Sequence, residues 1–278
     1  MKRKRKRRNT RYFLLLGIFH CVLLLIVLVR RKQRITLVLL FTNMGFAYLF
    51  DYLILNLFNA YTYKPHVMKN RSLDNIFGAI LSQDVYVPVG ATFITAFRGD
   101  WRWKISFSLY FYFIEKLFLK LGLYTVHWWR SYYTPIFLCL YFYLSDGAYI
   151  VLKNKKKWAL MTAQYLSSAV VGVSLLYAAA AGRKLRFGWK HRHSWKEHFM
   201  IAPLYSMFLS LIGTLVSFQA KFIYRLLFLV WCTIFDFILM KTGVLKMQSR
   251  QVLMNIPFHV FMVYISTFLN RAIYKWGK

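Results

Sequence analysis

Apolar stretches long enough to cross a lipid bilayer, with Lys and Arg gathered in the segments between them, recur along the whole of this chain. A helix rising about 1.5 Å per residue needs about 20 mostly apolar residues to traverse a hydrocarbon layer of about 30 Å. The blocks at 12–29, 35–60, 76–97, 105–124, 134–152, 158–181, 199–219, 222–240 and 252–270 meet that requirement. They predict an all-α fold, a polytopic transmembrane helix bundle of about nine spans, with eight to ten as the range. The seventh and eighth blocks almost touch, so they read either as a tight hairpin or as a span with an interfacial segment. The expected organisation is a polybasic tail at 1–11, one transmembrane helical domain at 12–270 and a C-terminal tail at 271–278.

Composition supports this reading and narrows the partners. Apolar residues make up 59% of the 278 and charged residues 17%, against about 25% charged in an ordinary soluble domain. The 39 basic and eight acidic residues leave a net charge of +31. No zinc-finger spacing, recognition helix or Gly-rich loop accompanies that charge, so no nucleic acid partner is expected. The basic runs flank apolar blocks, which suits the bilayer and its anionic lipid headgroups. Eight of the first 11 residues are basic. An apolar block follows with no small-x-small cleavage pattern, which predicts an uncleaved anchor rather than a secretory signal. By the side bias of Lys and Arg this tail points to a cytoplasmic N-terminus, and beyond it the two sides balance. Protein partners are not identified by the sequence. Cys21, Cys139 and Cys232 sit inside apolar blocks with no CxxC or Cys/His pattern, so they read as small hydrophobes.

With so few acids their positions matter. Asp51, Asp84 and Glu115 fall within expected spans, where a carboxylate costs about 2.5–3.5 kcal/mol and faces a bundle interior or a water-filled cavity. Asp146 and Asp236 lie nearer span ends and read as side chains that can snorkel to the interface. Pro88 follows Asp84 by four residues and cannot donate to its carbonyl, which predicts a helix kink beside a carboxylate. Ser206, Ser210, Gly213 and Ser217 share one helix face and read as a helix-packing surface, an idea Ser168 and Gly172 repeat. His191, His193, Glu197 and His198 form a short cluster, but Lys190, Arg192 and Lys196 around it argue against a metal, and a solvated interface loop is expected. No nucleophile elbow, metal spacing or phosphate loop is present, so no catalytic residue, metal site or cofactor is assigned. Two functional readings remain. In one, Asp51, Asp84 and Glu115 bind a small polar ligand or a cation. In the other, the protein is a structural or assembly component whose carboxylates are interhelical packing bonds and whose tail holds lipid.

The order of features between residues 50 and 134 is also distinctive. Phe50-Asp51-Tyr52 precedes Asp84-x-x-x-Pro88, then a helix bearing Glu115 that ends in Gly122-Leu123-Tyr124, then Trp128-Trp129 and Tyr133-Thr134. This segment resembles an uncharacterised family of small polytopic membrane proteins from endospore-forming Gram-positive bacteria. Members are shorter than this chain, so the first and the C-terminal spans have no counterpart. The resemblance implies the cytoplasmic membrane of a bacterium and no particular reaction. It singles out Asp51, Asp84, Pro88, Glu115 and Trp129.

Overall fold

The computed structural model describes residues 2–31, 33–182, 185–189, 193–219, 221–246 and 255–274, with side chains from residue 9 onward. Helices dominate. In chain order they are α1 (Lys2–Arg30), α2 (Arg34–Asp51), α3 (Arg71–Ile80), α4 (Val87–Ala96), α5 (Trp101–Leu121), α6 (Tyr133–Lys153), α7 (Lys157–Ala181), α8 (Trp195–Ser217), α9 (Phe222–Lys241) and α10 (Ile256–Tyr274). A π-helical turn, Tyr52–Leu57, extends α2, and a second, Leu81–Tyr86, joins α3 to α4 in one rod. Nine long rods result among the described residues. Eight of them are long and apolar enough to cross a membrane. The remaining rod, α5, is as long as its neighbours but carries Arg102, Lys104, Glu115, Lys116 and Lys120. The architecture is that of a multi-pass membrane protein.

Local chemistry sets the helix ends. Asn70 caps α3 by accepting from the Ser72 and Leu73 amides, and Asp100 caps α5 by accepting from Arg102 and Trp103, as short polar side chains do at N-termini. Gly122 ends α5 at φ 70°, a left-handed conformation open to glycine. At the end of the α3 rod's first half, Pro88 has no amide hydrogen to give Asp84. The backbone widens there, and the Val87 amide reaches back five residues to the Ser82 carbonyl. The break expected at Asp84–Pro88 thus takes the form of a π turn.

The helices pack as two compact units, Met1–Ala159 and Leu160–Lys278. In the first, the buried core includes Phe13, Tyr61, Tyr86, Phe111, Leu123, Trp129 and Phe142. Its short strands β1 (Tyr61–Tyr63) and β2 (Tyr124–Val126) pair antiparallel, with Tyr61 opposite Val126. In the second, Leu176, Phe187, Tyr205, Leu209, Phe228 and Leu245 form the core. There β3 (Arg186–Phe187) pairs with β4 (Leu245–Lys246).

Candidate functional site

The N-terminal unit encloses a cavity of about 510 Å³. Its walls come from α1 (Phe13, Leu16), the end of α2 (Phe46, Ala47, Phe50, Asp51), the π turn before α4 (Ser82, Gln83, Tyr86), α5 (Phe111, Ile114, Glu115, Phe118) and α6 (Thr134, Phe137, Leu140, Leu144). Asp51 and Glu115 therefore share one cavity although 64 residues separate them in the chain. Asp84 is not among the lining residues. It sits half-buried on the π turn, while its neighbours Ser82 and Gln83 take the wall position.

A chain of polar and aromatic side chains links the two acids. Asp51 is 8% exposed, and its Oδ1 accepts a 2.5 Å hydrogen bond from the Tyr61 hydroxyl. The Tyr61 ring meets Trp129 edge-on at 5.6 Å between centroids. The Trp129 indole donates to Thr134 Oγ1 at 3.1 Å, and the Thr134 hydroxyl donates to Glu115 Oε2. Glu115 Oε1 is buried without a hydrogen-bond partner among the described residues. No Lys or Arg among the described residues forms a salt bridge with either acid. Burial pushes the phenols of Tyr61, Tyr63 and Tyr124 well above their ordinary range. The charge of Asp51 pushes all three the same way, and that of Glu115 adds to it at Tyr63 and Tyr124. These phenols stay neutral donors.

Gln83 completes the wall. It is 6% exposed, and it lines the cavity. Tyr86 and Tyr141 spend their hydroxyls on the carbonyls of Phe13 (2.8 Å) and Asn43 (2.7 Å). Sequence reasoning reached Asp51 and Glu115 through the scarcity of acids, and Trp129 through resemblance. It missed Tyr61, Tyr63, Tyr124 and Thr134, because a Tyr or Thr near a span end carries no signal above the general interface preference.

The other acids have structural partners. Asp146 does not snorkel: it pairs with Lys104 at 2.7 Å and accepts from Thr95 Oγ1 at 2.6 Å. Asp236 does not snorkel either. It is fully buried in the second unit, bonded to the Tyr205 hydroxyl, to Asn255 Nδ2 at 2.8 Å and to His259 Nε2 at 2.9 Å. A carboxylate this deep keeps its place by taking donors, not by reaching water. Ser206, Ser210, Gly213 and Ser217 are buried in the second unit. Ser206 Oγ donates to the Ala169 carbonyl at 3.2 Å, and Gln164 Nε2 donates to Ser217 Oγ at 2.6 Å. In the histidine cluster, Glu197 closes a capping box with Ser194, and His198 Nδ1 accepts from the Phe187 amide at 3.1 Å. His191 and Arg192 lie outside the described residues. No protein-family model matches this sequence, and neither a curated protein nor a solved structure shows significant similarity to it.

Proposed function

We propose that the N-terminal unit of this multi-pass membrane protein binds a small molecule carrying positive charge. The observation that supports it most is the pair Asp51 and Glu115 in one aromatic-walled cavity, with no salt bridge to Lys or Arg among the described residues. An uncompensated carboxylate in such surroundings is costly, and a bound cation removes that cost. Aromatic faces such as those of Tyr61, Tyr124 and Trp129 attract the same charge, by about 0.5–2 kcal/mol each. Gln83 adds a side-chain amide to the lining, and 510 Å³ falls within the usual range for small-molecule sites, about 300–1,000 Å³. We place the protein in the cytoplasmic membrane of a bacterium with its N-terminus inside. That placement rests on the family resemblance and on the basic tail, in which each residue near anionic headgroups is worth about 1 kcal/mol.

A second reading has its own support. The bonds Tyr61–Asp51 and Thr134–Glu115 each tie an acid to another element, as packing bonds in an assembly component would. Calorimetric titration of the purified full-length protein with choline and with its uncharged isostere 3,3-dimethylbutanol separates the two. The binding reading expects choline to bind at least about tenfold more tightly, a difference of about 1.4 kcal/mol. That preference should vanish in Asp51→Asn with Glu115→Gln at an unchanged melting midpoint. Equal, weak heats for both compounds, with a lower midpoint in the double variant, would favour the packing role.

A further inference from the structure

The cavity's outer wall narrows the ligand class. On α6, Phe137, Leu140 and Leu144 follow one another at spacings of three and four, so they lie on one face of the helix. All three line the cavity, yet they are 41%, 60% and 48% exposed on the outside of the protein. A stripe that belongs both to a cavity and to the outer surface marks a lateral opening. Leu140 and Leu144 stand near the middle of a 21-residue span, at the depth of the hydrocarbon. Phe46, Ala47 and Phe50 of α2 line the same cavity, and the Phe50 and Phe137 rings approach to 5.3 Å. The opening therefore faces lipid tails rather than water, and its walls are apolar, while the acids come from elsewhere on the cavity wall, Asp51 from the end of α2 and Glu115 from α5.

Building on the binding reading above, we infer that the ligand is a single-chain amphiphile with an ammonium head, admitted sideways from the bilayer past the exposed apolar stripe of α6. The head lies between Asp51 and Glu115 against Tyr61 and Trp129, and the chain runs along Leu140 and Leu144. Charge complementarity selects the head. The lateral stripe selects the chain, because a chain moving from lipid to an apolar cavity leaves one hydrocarbon environment for another and meets no barrier of desolvation.

The test uses full-length protein in phosphatidylcholine nanodiscs and a dodecyltrimethylammonium probe with a diazirine at the chain end. Photolysis followed by mass spectrometry should place adducts on Leu140, Tyr141 and Leu144. Labelling there should fall about tenfold, equivalent to 1.4 kcal/mol, in Asp51→Asn with Glu115→Gln. Leu140→Trp, which fills the apolar stripe along which the chain would run, should lower it similarly at an unchanged melting midpoint. Labelling that is indifferent to both variants, in a protein that still prefers choline over its isostere, overturns the amphiphile while sparing the cation site. Loss of the choline preference from the wild-type protein as well removes the site and this inference with it.

Discussion

Each acid inside a helix of this protein solves the same problem with different neighbours. Asp146 takes an ammonium, Asp236 takes three donors, and Asp51 takes one phenol and a cavity. The Lys104–Asp146 pair shows how unequal the consequences are. Lys104 is buried, and besides Asp146 it has the Gly99 carbonyl, at 2.9 Å, and the Tyr143 ring, 4.9 Å from the ammonium to the centroid. Asp146→Asn should therefore cost about 3 kcal/mol by stranding the ammonium, whereas Lys104→Met with Asp146→Leu should recover most of that loss. Thermal melting of the detergent-solubilised protein measures both. At this scale the sequence announced which acids mattered but not their partners. The Asp146 partners Thr95 and Lys104 lie 51 and 42 positions earlier in the chain, distances over which one sequence carries no pairing signal. Asp51 and Tyr61 are ten apart, but the turn that brings them together is a π turn with no proline to betray it.

Among elements, the helices were legible because a bilayer imposes a length and leaves little else to choose. Apart from α1, which begins at Lys2, ten residues ahead of its apolar block, the rods start and stop within about five residues of the expected blocks, and α5 was recognisable despite its charges. Irregular backbone was only half legible. Pro88 flagged the second π turn, which supplies Ser82, Gln83 and Tyr86 to the cavity, while nothing flagged the first, which follows the lining residue Asp51. Close helix approach was legible as small residues and is specific in its detail. A Cβ at Gly172 would collide with Ser206 Oγ and stand 2.9 Å from Met262 Cε, whereas one at Gly147 would meet nothing within 4 Å. Gly172→Ala should lower stability by about 1–3 kcal/mol, and Gly147→Ala should leave it unchanged or slightly raised. Parallel melting curves of the two variants check the contrast.

For the molecule as a whole, the sequence pointed to a membrane bundle and gave no sign that it forms two packed units, since the α6–α7 connection at 154–156 is no richer in Pro, Gly or Ser than the other loops. Nor did it place the basic tail with respect to the cavity. The structure does so through two bonds: Asn9 Nδ2 donates to the Lys64 carbonyl at 3.2 Å, and Thr10 Oγ1 to that of Pro65 at 3.0 Å. These fasten the start of α1 beside β1, the strand whose Tyr61 holds Asp51. The seven basic residues of 2–8 precede Asn9 on the same helix, within about 10 Å along its axis and thus about one Debye length at ordinary ionic strength. Their formal charge is expected to act as a gate against a water-borne cation arriving from that side. Raising salt should accordingly quicken choline association, by about tenfold between dilute and concentrated salt, which reverses the usual sign for an acidic pocket. Stopped-flow tryptophan fluorescence reads the rate, and traffic that arrives through the lipid would ignore the gate altogether.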